Sequence, residues 1–253
     1  MATTATTTEA LTERFRALHA EGFFVMPNPW DRGSAQLLEQ QGFAALATTS
    51  AGYARSIGTR DQQVTRDELV RHVADLVDIL TIPLNVDSEC LYPGEPGGIA
   101  ETVRLLAAAG AAGCSIEDFR PDRGAIVDRA EAAADVATAA EACAAAGLVL
   151  TARAENLLYG AGDLDDTIAR LVAYRDAGAE VLYAPGLHDP ADIRRVVDEV
   201  GRPINVLRVP GGPDPSGLAE LGVRRMSTGG ALQTAAYQRA RELAAELLPA
   251  APT

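Results

Sequence analysis

The chain has 253 residues, 47% of them apolar, and its 35 acidic side chains outnumber 22 basic ones to give a net charge of −13. That balance excludes the basic face that nucleic acid or an anionic membrane requires of a partner, and no apolar run approaches the length of a membrane span. Every basic residue other than histidine is an arginine, so a lysine Schiff base and a lysine-bearing phosphate loop are both excluded.

The first ten residues, MATTATTTEA, are polar and lack the apolar centre of an export signal. They predict a polar tail over 1–10, a cytoplasmic location, and one domain over 11–253. From there strand-like and helix-like runs alternate without a linker. Strand 22–29 leads to helix 33–42, strand 43–50 to helix 65–80, and strand 82–89 to helix 98–110. Strand 113–119 leads to helix 128–147, strand 148–155 to helix 164–178, and strand 180–186 to helix 189–201. Strand 203–211 precedes a short helix at 216–222, and strand 223–230 precedes the closing helix 231–248. Several helices begin at an Asp or Thr cap, as at Thr65, Asp128 and Asp189, and several end at a glycine. Eight strand-then-helix units predict an α/β fold with a parallel sheet closed into a (β/α)8 TIM barrel. An open doubly wound sheet is disfavoured because no glycine-rich dinucleotide turn follows the first strand.

Catalytic groups of such a barrel sit at the C-terminal ends of its strands. Those positions hold Trp30, then Ser50, Ala51 and Gly52, then Asp87 and Glu89, then Glu117 and Asp118. Arg153 and Glu155 follow, then His188, Asn205 and Arg208, and finally Ser227 and Thr228. Asp87 and Glu89, two residues apart, share one face if the strand continues through them, and like charges so placed call for a cation. With Glu117 on the next strand they form an oxygen donor set suited to Mg²⁺, with Mn²⁺ as the alternative. Arg153 is placed to pair with a carboxylate or phosphate. Asp118 and Glu155 read as capping or surface groups. His19 and His72 fall on helices and read as surface residues, whereas His188 follows a strand and is a candidate acid or base. Cys90, Cys114 and Cys143 are odd in number and widely spaced, which gives neither a disulfide framework nor a zinc motif.

The segments 28-NPWDRGSAQLLEQQGFAALATTSAGYARSIGTRD-61, 83-PLNVDSE-89, 113-GCSIED-118, 151-TARAENLL-158, 203-PINVLRVPGGP-213 and 221-LGVRRMSTGGAL-232 resemble the isocitrate lyase/phosphoenolpyruvate mutase superfamily, in order and over nearly the whole chain. The resemblance implies a Mg²⁺-dependent barrel that acts on a small carboxylate next to a 2-oxo group through an enolate, in a homo-oligomer (dimer or tetramer). It implies Asp87, Glu89 and Glu117 as the metal carboxylates and Ser50, Ala51 and Gly52 as the turn that binds the substrate carboxylate. It further implies Asp61 as an acid beside the site and Arg153 as the substrate-binding arginine; Trp30 and Asn205, from their strand-end positions, are expected as further substrate contacts. The loop 117-EDFRPDRGAIVD-128 lacks the cysteine of isocitrate lyases and the lysine and asparagine of the mutases. A C–C lyase or decarboxylase for a 2-oxo or 2-hydroxy dicarboxylate is therefore expected, with a C–P mutase or hydrolase and a non-catalytic 2-oxo-acid-binding relative as alternatives.

Overall fold

The computed structural model describes residues 7–248. Eight parallel strands make the sheet: β1 (Phe24–Met26), β2 (Leu46–Ala47), β3 (Leu84–Val86), β4 (Gly113–Glu117), β7 (Val149–Arg153), β8 (Val181–Tyr183), β9 (Ile204–Leu207) and β10 (Arg225–Ser227), while β5 (Phe119–Arg120) and β6 (Ala125–Ile126) form a separate antiparallel hairpin. Around them lie α1 (Thr8–Ala20), α2 (Arg32–Gln40), α3 (Ser50–Ser56), α4 (Arg66–Val77), α5 (Gly98–Ala108), α6 (Arg129–Ala146), α7 (Leu164–Asp176), α8 (Pro190–Val200), α9 (Pro215–Glu220) and α10 (Ala231–Glu246).

The ladder runs from β1 through β10, β9, β8, β7, β4 and β3 to β2. The remaining seam is narrow. The Ala47 N–H donates to the Pro27 carbonyl at 3.1 Å. Buried Asn28 completes it: its Nδ2 donates to the Thr48 carbonyl, and its Oδ1 accepts from the Thr228 and Gly229 N–H groups. One amide thus joins three strand ends, and the eight-stranded (β/α)8 barrel expected from the alternation is what forms.

The strands are shorter than the runs that predicted them. Each run's second half leaves the ladder to become a loop at the C-terminal mouth, where backbone must turn toward its helix. The ring of helices packs on the outer faces of the strands through Leu46, Leu84, Ile116, Leu150, Leu182, Val206 and Met226, which alternate with inward-facing residues.

Of the polar tail expected over 1–10, residues 1–6 lie outside the described region. The rest is not tail: Thr7 caps α1, its side chain accepting from the Ala10 N–H, and residues 8–10 form the first turn. Helix α1 plugs the N-terminal end of the barrel. Phe15, fully buried, packs there with Phe24, Ala45, Ala112, Val149 and Val181. The plug explains Gly113, where a Cβ would stand 2.9 Å from the Phe15 ring and 2.7 Å from the Val149 carbonyl oxygen.

His19 and His72 lie on helices as expected, but both are buried rather than at the surface. His19 packs edge-on against Phe15 and Phe24, and His72 stacks on Tyr53 at 3.7 Å. Burial, assisted for His19 by Arg225, lowers the two imidazoles to about 3 and about 4. Both are neutral in the fold and prefer protons more once unfolded. Their contribution to stability is complete above the ordinary histidine range and is lost as pH falls through 6.5 toward 3. Chemical denaturation between pH 7 and pH 4 is therefore expected to show stability falling with acid, with His19→Gln flattening the slope.

Candidate active site at the barrel mouth

The C-terminal ends of β3, β4 and β7 converge on one guanidinium. Arg153, the last residue of β7, is paired in register with Glu117 of β4 and Tyr183 of β8. Its Nη1 donates to Asp87 Oδ1, its Nε to Glu155 Oε1 at 2.7 Å, and its Nη2 lies 3.4 Å from Glu117 Oε2. The guanidinium carbon sits 5.1 Å from the Tyr183 ring centroid, a cation–π contact. Burial works against the charge, but Glu155, Asp87 and Glu117 outweigh it and hold Arg153 protonated.

Asp87 follows β3. Its Oδ2 accepts the Ser50 N–H at 2.9 Å, and its own N–H donates to Thr48 Oγ1 at 2.8 Å. The same-face geometry expected of Asp87 and Glu89 is not that of a strand. β3 ends at Val86, and Glu89 is left-handed at φ 49°, as are Leu91 and Tyr92. The turn buries Glu89 and leaves its Oε1 without a hydrogen-bond partner. Burial, with Asp87 and Asp61 adding repulsion, pushes Glu89 up to about 8. Burial also holds the Glu117 carboxyl well above its usual range, although Gln62 Nε2 donates to its Oε1 at 2.8 Å. Asp61, at the rim, is raised by enclosure and by Asp87.

Among the described residues no three His, Cys, Asp or Glu side chains are drawn together as a ready ion cage. Arg153 occupies the position between Asp87 and Glu117 that such a cage would need. The donor set still fits a divalent cation of the magnesium type. The buried, unpartnered oxygen of Glu89 and the mutual repulsion of Asp61, Asp87 and Glu89 are what a hard cation relieves. Magnesium retains several waters, so it requires only one or two direct carboxylates.

The family model described as phosphoenolpyruvate phosphomutase matches residues 15–248. The chain belongs to that family, within the isocitrate lyase/phosphoenolpyruvate mutase superfamily. A crystal structure of a candidate lyase/mutase from Burkholderia cenocepacia J2315 is 49% identical and superposes with a TM-score of 0.89, covering 95% of this chain and 88% of the other. An uncharacterized protein of Mycobacterium tuberculosis (strain H37Rv) is 35% identical over 218 residues, 85% of this chain and 81% of its own. The oxaloacetate decarboxylase of Paraburkholderia xenovorans is 31% identical over 223 residues, 84% of this chain and 73% of its own. Named relatives are lyases, decarboxylases and mutases.

This member of the phosphoenolpyruvate phosphomutase family has a cavity of about 210 Å³ reaching down from the mouth, lined by Asp61, Asp87 and Arg153 above and by Asn205, Ser227 and Arg225 below. Ser50 and Ala51 also line it, as the first turn of α3, a short helix where a turn was expected. Gly52 does not. Its N–H is spent on Thr49 Oγ1, and a Cβ there would meet Thr49 Cγ2 at 2.5 Å. Close packing therefore requires this glycine. Trp30 is outside the lining as well, its backbone N–H held by Ser34 Oγ at the start of α2. Asn205 is where it was expected, but it faces inward along the barrel: its Nδ2 donates to Ser227 Oγ and its Oδ1 accepts from Arg225 Nε. His188 is exposed and away from the cavity, with Nδ1 at 2.8 Å from the Gly186 carbonyl oxygen. It is not placed to act on a ligand there.

The β5–β6 hairpin occupies the loop after β4. Arg120 faces Glu131 and Asp135 of α6, and Arg123 pairs with Glu131 at 2.9 Å, so both cations are turned to the helix rather than over the mouth. Phe119 stacks on Tyr159 at 4.4 Å, joining the hairpin to the loop after β7.

Two acids read as surface groups are buried. Glu155 is the closest carboxylate to Arg153 Nε, and Asp118 anchors it: Asp118 Oδ1 accepts the Glu155 N–H at 2.8 Å, while Oδ2 accepts from Arg170 Nη1 at 3.0 Å and the Tyr174 hydroxyl at 2.6 Å. The only sequence signal for this cluster is the i, i+4 spacing of Asp166, Arg170 and Tyr174 along α7. Replacing Asp118 takes one of two carboxylates from a buried guanidinium and leaves the Tyr174 hydroxyl and the Glu155 N–H without their acceptor, so Asp118→Ala is expected to cost about 3–5 kcal/mol in urea unfolding.

Proposed function

We propose that the chain is a Mg²⁺-dependent lyase or decarboxylase that cleaves a C–C bond beside the 2-oxo (or 2-hydroxy) group of a small dicarboxylate. One observation carries this reading: at the mouth of the cavity a single guanidinium, Arg153, faces more carboxylate than it neutralises, and an oxygen of Glu89 is buried without a partner. Likeness to the oxaloacetate decarboxylase of P. xenovorans over 84% of the chain supports the substrate class.

Asp87, Glu89 and Glu117 would hold the ion, chiefly through water. When bound, the ion supplies a Lewis acid that stabilises negative charge on a substrate oxygen. Arg153 adds a fixed positive charge beside that oxygen, already ordered by Glu155 and Tyr183, so no reorganisation accompanies the reaction. Ser50 and Ala51 position the substrate carboxylate at the start of α3. Cleavage leaves its electron pair on the carbon next to the keto group, as an enolate of pyruvate type. Asp61, raised by enclosure and by Asp87, stands at the rim as the group that passes a proton from solvent to that carbon. With oxaloacetate the products are CO2 and pyruvate.

The missing loop lysine and the engagement of Arg120 and Arg123 with α6 disfavour the phosphonate alternative. Phosphorus NMR with phosphonopyruvate separates the two, since only a C–P enzyme changes the signal. Asp87→Ala is expected to abolish chelator-sensitive turnover in a screen of 2-oxo and 2-hydroxy diacids that monitors pyruvate, glyoxylate and CO2, with the circular dichroism of the barrel retained. Turnover surviving both EDTA and this substitution overturns the assignment. Joint stabilisation by Mg²⁺ and a 2-oxo acid without any product across the screen supports the non-catalytic alternative instead.

The protein is further proposed to assemble with copies of itself. Helix α10 buries only Gln233 and exposes Tyr237 and Leu243, with Leu247 and Leu248 exposed just beyond its end. Such an apolar face is a candidate for burial between copies. Leu243→Glu combined with Leu247→Glu is expected to yield a monomer by light scattering, where the parent chain is a dimer or tetramer.

A further inference from the structure

Arg225 is the largest fully buried side chain among the described residues. It is the first residue of β10, points into the barrel, and lines the lower part of the mouth cavity. Its hydrogen bonds all go to neutral groups: Nε to Asn205 Oδ1 at 2.9 Å, Nη2 to Thr151 Oγ1 at 3.1 Å, and Nη1 to His19 Nε2 at 3.1 Å. His19 Nδ1 lies 2.8 Å from the Phe15 carbonyl oxygen, so that nitrogen carries the ring proton and Nε2 is the acceptor. Among the described residues no carboxylate lies within ion-pair distance of Arg225. Three of its five N–H groups are used, which leaves two.

A buried charge without a counter-charge is costly, and native proteins pair such groups or ligate them. By contrast, the largely buried arginines that do form ion pairs among the described residues, Arg120, Arg153 and Arg170, each have two or more carboxylates. Arg225 differs in facing a cavity. Burial, reinforced by Arg153, lowers its guanidinium to about 9, which still leaves it charged at neutral pH. Nearby Asn85 Oδ1, buried and also in the lining, has no partner of its own.

We propose that Arg225 is the floor of a carboxylate subsite, receiving the second carboxylate of the ligand while the 2-oxo or 2-hydroxy acid end lies against Arg153 and the acids of the mouth. This rests on the reading of the mouth given above and deepens it: the two guanidiniums lie at different depths of one cavity, so the site selects a diacid over the matching monoacid. Asn205, Thr151 and His19 hold the guanidinium in place. Arg225 contacts the ligand's second carboxylate and is a specificity residue.

Malate and lactate test this, because they differ only in the second carboxylate. Dissociation constants are measured by calorimetry with Mg²⁺ present, on the full chain, on Arg225→Gln, and on His19→Glu, which supplies an internal carboxylate to Arg225 from beneath and leaves Arg225 itself in place. The parent chain is expected to bind malate roughly tenfold or more tighter than lactate, the worth of a hydrogen bond to a charged group. Both variants are expected to lose that preference while lactate binding changes less than about twofold. A parent chain that binds the two acids equally overturns the role of Arg225 and leaves the lyase reading standing, and this outcome needs no variant to fold. A preference that survives in His19→Glu, or equal losses for both acids in the variants, makes Arg225 a strut only and also overturns the proposal. Binding of neither acid by the parent chain removes this inference and the reading of the mouth together.

Discussion

The pairing of Arg153 with Asp87, Glu117 and Glu155 is the interaction on which the site depends. Each of these acids comes from a different loop or strand end, so their mutual repulsion would splay the mouth if the guanidinium were absent. One cation cannot satisfy them all. Coulomb attraction within the cluster is strong because water is partly excluded, and the same exclusion makes the surplus negative charge expensive. The penalty shows at Glu89, which has no hydrogen bond to its Oε1 and whose carboxyl is pushed up to about 8 by burial and its acidic neighbours, so that near neutrality it keeps a proton that a cation would displace. A site that is over-charged in this way favours a divalent cation thermodynamically, since binding it removes a penalty that the fold already carries.

Two further layers sustain this arrangement. Behind Arg153, Asp118 ties the backbone of Glu155 to Arg170 and Tyr174 of α7, so the acid next to the guanidinium is held by a buried network and cannot relax away. Below it, the barrel interior is polar, with Asn85, Ser115, Thr151, Asn205, Arg225 and Ser227, before it becomes apolar again at the Phe15 plug. The interior therefore carries excess negative charge at the top and an uncompensated positive charge at depth. A diacid chelated at the top through a cation and reaching down to Arg225 matches both.

The barrel was legible in the sequence because most helices are punctuated: Asp or Thr at the start, glycine or a polar turn at the end, and an apolar strand core between. The positions of Asp87, Glu117 and Arg153 followed from that frame, since each ends or follows a strand. The start and the burial of helix α1 were missed because its apolar stripe is only Leu11, Phe15 and Leu18 next to a threonine-rich segment, and its value comes from the barrel end that it closes. Glu155 and Asp118 looked like surface acids because nothing local distinguishes a carboxylate that will be buried against an arginine far along the chain. Arg225 was hidden in the pair 224-RR-225. Strand alternation sends Arg224 outward to the Gly22 carbonyl and Arg225 inward, and this becomes visible only once β10 is placed. His188 and Trp30 stand at strand ends in sequence, but neither is among the residues that line the cavity.

The left-handed residues around the site show where the fold has been bent to serve it. Apart from glycines, the described residues with positive φ are Gln62, Glu89, Leu91 and Tyr92. Each costs about 1–2 kcal/mol relative to ordinary backbone. None lies in a remote surface turn. Gln62 holds Glu117 Oε1, Glu89 is the unpartnered acid, and Leu91 and Tyr92 carry the chain on from it. The bends are held by specific bonds: the Glu117 N–H donates to the Glu89 carbonyl at 3.0 Å, the Leu91 N–H to the Ser88 carbonyl at 2.9 Å, and the Tyr92 hydroxyl to the Val64 carbonyl at 3.0 Å. An extended path after Val86 would keep Asp87 and Glu89 on one face without strain. The turn instead draws Glu89 inside, where its charge is least favourable by itself and most useful to a cation. Strain and burial coincide on that one residue, and ligation of a divalent ion by its carboxylate would offset the cost of burying it.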